Sequence, residues 1–204
     1  HISHQQYSFD NEIRSQALAA VIPFKHITLG FGFQQHGIPE FNDSKISLII
    51  SKLFGPRLGI GFRGNYHQLK ISNYGSTTAL SVDLGAIYQL TYEIGIGLYV
   101  SNPARAVYRS KINSNPLPSR MNLGITYRTS DKLLLATTIL KKDLVVGIDY
   151  EMLEAFSLRC GLSFNPFTQY FGVGFSRPKF MIDFACIIIP NLSYSPQLTI
   201  GYAF

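Results

Sequence analysis

The residues of this chain that could do chemistry are charged side chains set among alternating apolar ones. Eight of them fall on the polar phase of segments that alternate with period two: Arg63, Asp83, Glu93, Arg120, Asp149, Glu151, Arg159 and Asp183. Successive side chains of a strand point to opposite faces, so these eight are expected on one face of a sheet. Because both signs are present and buried charges must be paired, the set predicts a network of internal salt bridges. A ring of one sign would instead have indicated an ion-selective pore.

Catalytic and metal-binding motifs are missing from the sequence. It has no Gly-x-Ser-x-Gly elbow, and its five histidines form no His-Glu-x-x-His pair. His67 falls on the polar phase beside Arg63, which makes it a poor catalytic candidate. Cys160 and Cys186 have neither a disulfide framework nor metal-ligand spacing. We therefore expect no enzyme activity, no catalytic or metal site and no cofactor.

Basic residues are dispersed along the chain, although the net charge is +6. No run of five or more is found, so nucleic acid is not an expected ligand. The longest segment without alternation, 102–118, carries Arg105, Arg109 and Lys111. Long loops on a rigid scaffold often carry function. We predict that this segment faces outward and contacts a protein partner or lipopolysaccharide.

The elements that must position these residues are strands. In the segment 26–34, Ile27, Leu29, Phe31 and Phe33 share one phase, while glycines and polar residues share the other. The same rule recurs along nearly the whole chain, which has only 15% charged residues. No apolar run approaches the roughly 18 residues of a membrane-spanning helix. The pattern predicts one domain, residues 1–204, folded as an all-β transmembrane antiparallel barrel of about 14 strands, or 12 to 14, whose repeated inner glycines indicate a crowded lumen.

Connection lengths support a location in the outer membrane. Tight turns are predicted at 24–25, 55, 91, 129–131 and 177–178, and they alternate with longer connections that include 36–42 and 102–118. Outer-membrane barrels have short periplasmic turns, longer external loops and, for an even strand number, both termini in the periplasm. The alternation continues to the terminal Phe204, as is common in this class. We also expect further sequence upstream of His1.

The stretches LPSRMNLGITYRTSDKLLLA, LVVGIDYEMLEAFSLRCGLSF, FGVGFSRPKFMIDFA and LTIGYAF resemble the PorV-like proteins. These belong to the wider FadL-like barrels, and several are associated with type IX protein secretion and gliding motility. The resemblance covers nearly the whole chain in its pattern of alternation and about the last 88 residues in amino-acid sequence. The Asn-Pro-Ala-Gly-like opening of the family is missing, so no binding residue is carried over.

Three functions remain open. The resemblance implies a non-catalytic subunit or adaptor of a secretion or motility complex, whose partners are other outer-membrane or periplasmic proteins. The alternative is a FadL-like transporter of hydrophobic small molecules, which needs an apolar lumen pocket and an N-terminal hatch. The only hints of such a pocket are Ile87, Leu134 and Met181 on the inner phase. A barrel enzyme is the least favoured of the three.

Overall fold

A computed structural model describes residues 2–6, 14–38, 40–73, 75–108, 116–190 and 193–203. These ranges contain fourteen strands: β1 (Ile2–Gln6), β2 (Arg14–Pro23), β3 (Thr28–Ile38), β4 (Phe41–Phe54), β5 (Leu58–Ile71), β6 (Gly75–Gln89), β7 (Ile94–Ser101), β8 (Arg120–Ser130), β9 (Leu133–Ile139), β10 (Leu144–Leu153), β11 (Phe156–Phe164), β12 (Phe167–Arg177), β13 (Phe180–Ile189) and β14 (Ser193–Tyr202). No helix within the described ranges is long and apolar enough to cross a membrane.

The fourteen strands form one closed antiparallel barrel. Each strand pairs with its neighbours in the chain, and β1 pairs with β14 through the register Ile2 to Ile200. Closure satisfies the backbone groups that an open sheet would leave at its two edges. The predicted barrel and its strand number are confirmed.

The apolar phase of the strands faces outward and the polar phase faces the lumen. On β6, Leu80 is 73% exposed on the outside, whereas Asp83 is 4% exposed. On β5, Phe62 is exposed and Asn65 is buried in the same alternation. Large apolar side chains on the outer wall and polar ones inside are the arrangement of a transmembrane barrel.

The two ends of the barrel differ, and we name them by what they carry. The terminal rim holds both chain ends and six connections of two to four residues between β2 and β3, β4 and β5, β6 and β7, β8 and β9, β10 and β11, and β12 and β13. The loop rim holds the other connections, of which the longest joins β7 to β8. Strands β4, β5 and β6 have 14, 14 and 15 residues, whereas β9 has 7. The wall is therefore tallest at β4 to β6.

Two predicted boundaries were wrong for local reasons. The connection expected at 36–42 is only two residues long, because β3 continues to Ile38. Gly37 makes this possible with a φ of 139°, and a Cβ at this position would overlap the carbonyl oxygen of Phe41. Strand β7 begins at Ile94 rather than at 92, because the Thr91 hydroxyl accepts hydrogen bonds from the backbone N–H groups of Glu93 and Ile94.

A carboxylate organises two neighbouring connections at the loop rim. Asp143, in the connection between β9 and β10, accepts a 2.6 Å hydrogen bond from the Ser163 hydroxyl. It also accepts backbone hydrogen bonds from Phe164 and Asn165 at 3.0 and 2.8 Å. These donors favour the ionised form, so they hold the pKa of Asp143 below its usual value, with the Ser163 bond as the largest cause.

Candidate functional site

The lumen contains a largely apolar cavity of about 680 Å³ near the terminal rim, which we call the apolar chamber. It extends from the connection 24–27 up to Asp83 and Tyr99. The apolar side chains Ile49, Leu53 and Ile87 line it. Leu53 and Ile87 are 70% and 63% exposed, so they have much free surface for a ligand. Largely apolar walls with a few polar groups, here including Lys25, Arg63 and Asp83, are typical of a small-molecule site.

Glycines on neighbouring strands create the space of the apolar chamber. Gly61 of β5 is paired with Gly85 of β6, and Gly97 of β7 with Gly124 of β8. A Cβ at Gly85 would have no heavy atom nearer than 4.0 Å. The prediction that the inner glycines indicate a crowded lumen is therefore wrong for this group: here the missing side chains leave a cavity rather than relieve a clash.

Elsewhere the inner glycines are crowded, as predicted, and apolar side chains lie across them. A Cβ at Gly59 would be 2.8 Å from Cγ1 of Ile87 and 3.3 Å from Cδ2 of Leu53. A Cβ at Gly30 would be 3.2 Å from the Cβ of Ile49. Ile49, Leu53 and Ile87 thus each pack over a glycine of the adjacent strand. This contact holds them against the wall and leaves the centre of the chamber free.

A buried polar layer, which we call the polar partition, forms the inner end of the apolar chamber. Its centre is the carboxylate of Asp83, whose Oδ2 accepts hydrogen bonds from Asn65 Nδ2 at 2.9 Å and from the Tyr99 hydroxyl at 2.8 Å. Oδ1 accepts the backbone N–H of Asn102 at 3.1 Å. Asn65 accepts in turn from the Ser47 hydroxyl at 2.7 Å. A buried carboxylate is tolerated when its oxygens are satisfied in this way.

Beyond the polar partition lies a second cavity of about 370 Å³, the polar chamber, near the loop rim. Its walls include Lys45, His67 and Arg120, and Asp83 and Tyr99 line both chambers. The lumen of this half of the barrel is therefore divided into an apolar and a polar compartment, and the Asp83–Tyr99 pair separates them.

The described part of the β7–β8 connection, residues 102–108 and 116–119, folds over the polar chamber and is called the strap. Asn102 is buried and joins the two limbs of the strap: its Nδ2 donates to Leu117 O at 2.9 Å, and its Oδ1 accepts from Ala106 N at 2.8 Å. Leu117 N donates to Ala106 O at 2.9 Å, and Val107 forms a bridge with Pro116. The strap is thus an ordered lining of the loop rim.

In the part of the chain that the structure describes, the predicted lumen charges form one ion-pair group, around Arg159. Its Nε donates to Asp149 at 3.0 Å and its Nη1 to Asp183 at 2.7 Å. Arg159 lies on β11 and Asp183 on β13, so the side chain reaches across β12, where Gly172 and Gly174 leave room. The two ion pairs therefore link strands β10, β11 and β13.

The other predicted lumen charges are not joined into this network. Arg63 is opposite Asp83 in the register and lines the apolar chamber, but in the described part of the chain no ion pair within 4.0 Å links the two. Arg120 lines the polar chamber. Glu93 lies in a connection of the terminal rim and accepts from the Thr91 hydroxyl, and Glu151 is exposed near the same rim. Within the described residues, these eight charges therefore do not form the single salt-bridge network that was predicted to plug the barrel.

The predicted contact loop is only partly described. Arg105 is exposed on the strap and has a positive φ of 52°, whereas Arg109 and Lys111 lie outside the described residues. Its two described limbs lie at the loop rim, where Asn102, Leu117 and Pro118 line the polar chamber. A contact of Arg105, Arg109 and Lys111 with a partner or lipopolysaccharide stays a prediction.

Two chamber residues were missed by the sequence reasoning. Ile49 and Leu53 stand on the inner phase of β4, where polar residues were expected. The available signal was the run Leu48-Ile49-Ile50, which is apolar on both phases and so breaks the alternation. Ile87 was noticed as an inner apolar residue, and it does line the chamber.

Comparison with known proteins shows the fold. No protein-family model matches the chain, and no curated protein matches it in sequence. Among solved structures, the monoaromatic hydrocarbon channel CymD has a TM-score of 0.70 at 13% identity, over 100% of this chain and 87% of that chain. The Pseudomonas putida toluene transporter TodX has a TM-score of 0.67 at 10% identity, over 98% and 85%. A Pseudomonas aeruginosa FadL homologue has a TM-score of 0.66 at 9% identity, over 98% and 88%.

CymD is a channel and TodX a transporter, and neither is described as an enzyme or a secretion component. The resemblance to PorV-like proteins and the type IX secretion system therefore gains no support from them. At identities this low, a common fold is what the comparison establishes. The chain has the barrel fold of CymD, TodX and the FadL homologue.

Proposed function

We propose that this barrel is an outer-membrane channel for small hydrophobic molecules. The single observation that carries the proposal is the apolar chamber inside the lumen, with Ile49, Leu53 and Ile87 on its wall. A water-filled pore for polar solutes gains nothing from large exposed apolar side chains in its bore. A channel for apolar solutes needs them, because contact with apolar surface replaces the solute's contact with water.

The neighbours in structure support the same function. CymD and TodX are described as a monoaromatic hydrocarbon channel and a toluene transporter.

Outer-membrane barrels have short periplasmic turns and longer external loops. We therefore orient the barrel with its terminal rim in the periplasm and its loop rim on the outside of the cell. A solute then leaves the apolar chamber toward the periplasmic end. The secretion-subunit hypothesis would need an exposed docking surface, and no observation on the described residues favours one.

Uptake by whole cells tests the proposal, since an outer membrane rich in lipopolysaccharide resists hydrophobic solutes. Gram-negative cells producing the protein are compared with the same cells without it, using radiolabelled toluene and, as a polar control, radiolabelled lactose. We expect faster uptake of toluene and unchanged uptake of lactose. Equal acceleration of both solutes would indicate a general pore, and no acceleration of toluene would reject the proposal.

A further inference from the structure

A second apolar cavity, of about 290 Å³, lies in the lumen along strands β10 to β13, and we call it the side pocket. Its base is the inner face of three neighbouring strands, at Gly147 of β10, Gly161 of β11 and Gly172 of β12. The nearest heavy atom to a Cβ at Gly147 would be Cys160 O, at 3.5 Å. The base of the side pocket is therefore a smooth surface of peptide backbone.

Larger side chains bound the side pocket at its two ends. Tyr170 lines it on the side of the loop rim and Arg159 on the side of the terminal rim, while Val145 and Ala185 complete its apolar wall. An apolar cavity of about 150 Å³ is enough to bind benzene inside a protein. The side pocket has about twice that volume, so it fits a single ring with a short substituent. Bulkier fused-ring compounds are left to the apolar chamber.

The guanidinium of Arg159 favours an aromatic ring over other apolar groups. It donates to Asp149 at 3.0 Å and to Asp183 at 2.7 Å, so its charge is already paired and needs no anionic ligand. The side chain of Arg159 is nevertheless 44% exposed. A planar guanidinium stacks on the face of an aromatic ring, an attraction that a saturated hydrocarbon lacks. Tyr170 offers such a ligand a second aromatic partner at the other end of the side pocket.

The side pocket adjoins the apolar chamber along the inner wall of the barrel. Thr138 of β9 lines the apolar chamber, and its register partner Val145 of β10 lines the side pocket. Residues paired in this way across antiparallel strands have their Cα atoms about 5 Å apart. The two apolar cavities are therefore one strand apart, and a solute in the apolar chamber is next to the side pocket.

We propose that the side pocket is a second solute site, which takes one single-ring aromatic molecule such as toluene while the apolar chamber holds another solute. Arg159 is the residue that determines its specificity, because the guanidinium distinguishes an aromatic ring from a saturated ring of similar size. The inference rests on the proposed function, since a ring reaches the side pocket only through a lumen that admits apolar solutes.

Fluorine NMR of 4-fluorotoluene with the protein in lipid nanodiscs tests the site. The apolar chamber is first filled by Gly85→Leu, so that the remaining saturable binding belongs to another site in the lumen. In this background the side pocket is filled by Gly147→Leu from β10 or by Ala185→Leu from β13. The matched control adds Gly64→Leu, which makes the same change on the outward face of β5. Empty nanodiscs correct for partition into lipid.

Saturable binding of 4-fluorotoluene is expected in the Gly85→Leu barrel and in its Gly64→Leu control. Filling the side pocket should weaken this binding at least about tenfold, because the added side chain takes the place of the ring. Binding that persists in both filled barrels, or that Gly85→Leu alone abolishes, would overturn the side pocket and leave the proposed function intact. A wild-type barrel that binds no 4-fluorotoluene would count against both.

Two further measurements check the fold of the variants and the class of ligand. Barrels that carry Gly147→Leu or Ala185→Leu alone should still bind a fluorescent naphthalene derivative in the apolar chamber, which shows that they are folded. In the Gly85→Leu barrel, toluene should displace 4-fluorotoluene at about a threefold lower concentration than methylcyclohexane, which has the same number of carbon atoms but no aromatic ring. Equal displacement by the two compounds would overturn the assignment to aromatic rings.

Discussion

Shortening Ile87 to alanine removes apolar surface from the chamber at a position where the side chain is 63% exposed to the lumen. The change deletes three carbon atoms, each contributing about 0.8 kcal/mol when fully buried. Scaled by the exposed fraction, the loss is about 1.5 kcal/mol of binding free energy. This corresponds to about a tenfold higher Kd for an apolar ligand. The wall should remain folded, because Ile87 lies over Gly59 and most of its side chain is exposed to the lumen.

Binding of a fluorescent naphthalene derivative to the protein in lipid nanodiscs measures this effect. The chain contains no tryptophan, so indole emission does not mask the ligand, and empty nanodiscs provide the correction for partition into lipid. Leu80→Ala is the matched control, since Leu80 lies on the same strand and points outward with 73% exposure. The reasoning is refuted if Ile87→Ala binds as tightly as the wild type, or if Leu80→Ala weakens binding equally.

Five further variants probe the chamber, the ion pairs around Arg159 and the loop rim. Gly85→Leu projects a side chain into open space in the chamber and should abolish naphthalene binding without unfolding, whereas Gly64→Leu, which points outward into open space on β5, should bind normally. Gly174→Ala places a methyl group 2.5 and 2.6 Å from two side-chain oxygens and should lower the free energy of unfolding by about 1–3 kcal/mol in urea titrations; an unchanged midpoint would contradict the crowding described. The pKa of Asp143 is lowered in the folded state, so its contribution to stability is present above the unfolded-state pKa and is lost as the pH falls through the folded-state pKa. The melting temperature should therefore fall less on acidification in Asp143→Asn and in Ser163→Ala than in the wild type. Parallel curves of melting temperature against pH for all three proteins would argue against this role.

The architecture could be predicted from the sequence because it depends on a local rule. Alternation of apolar and polar residues fixes which face of each strand meets hydrocarbon, and a shift of one residue would reverse every side chain. The even strand number and the short connections then decide that the barrel closes with both ends at one rim. The boundaries that failed, at Gly37 and Ile94, were set by a backbone conformation and by a side-chain cap, which alternation does not report.

The candidate site was harder to predict because it depends on which strands lie side by side. Gly61 and Gly85 form a cavity only through their pairing in the register, and Gly174 is crowded because its register partners Ser157 and Asp183 contact it from both neighbouring strands. For the same reason, alternation predicted which face of the sheet carries the charged side chains but not which groups they contact. Arg159 pairs with two carboxylates, while Asp83 is satisfied by neutral donors. Distances between strands, rather than residue types, decide between these outcomes.

The position of an apolar ligand in a crystal tests the central claim most directly. Crystals grown with a brominated aromatic such as bromonaphthalene report the bromine by its anomalous scattering. We expect a peak inside the closed barrel, in the apolar chamber that Ile49, Leu53 and Ile87 line. Peaks confined to the outer, lipid-facing wall, with the chamber empty or filled by water, would contradict the account.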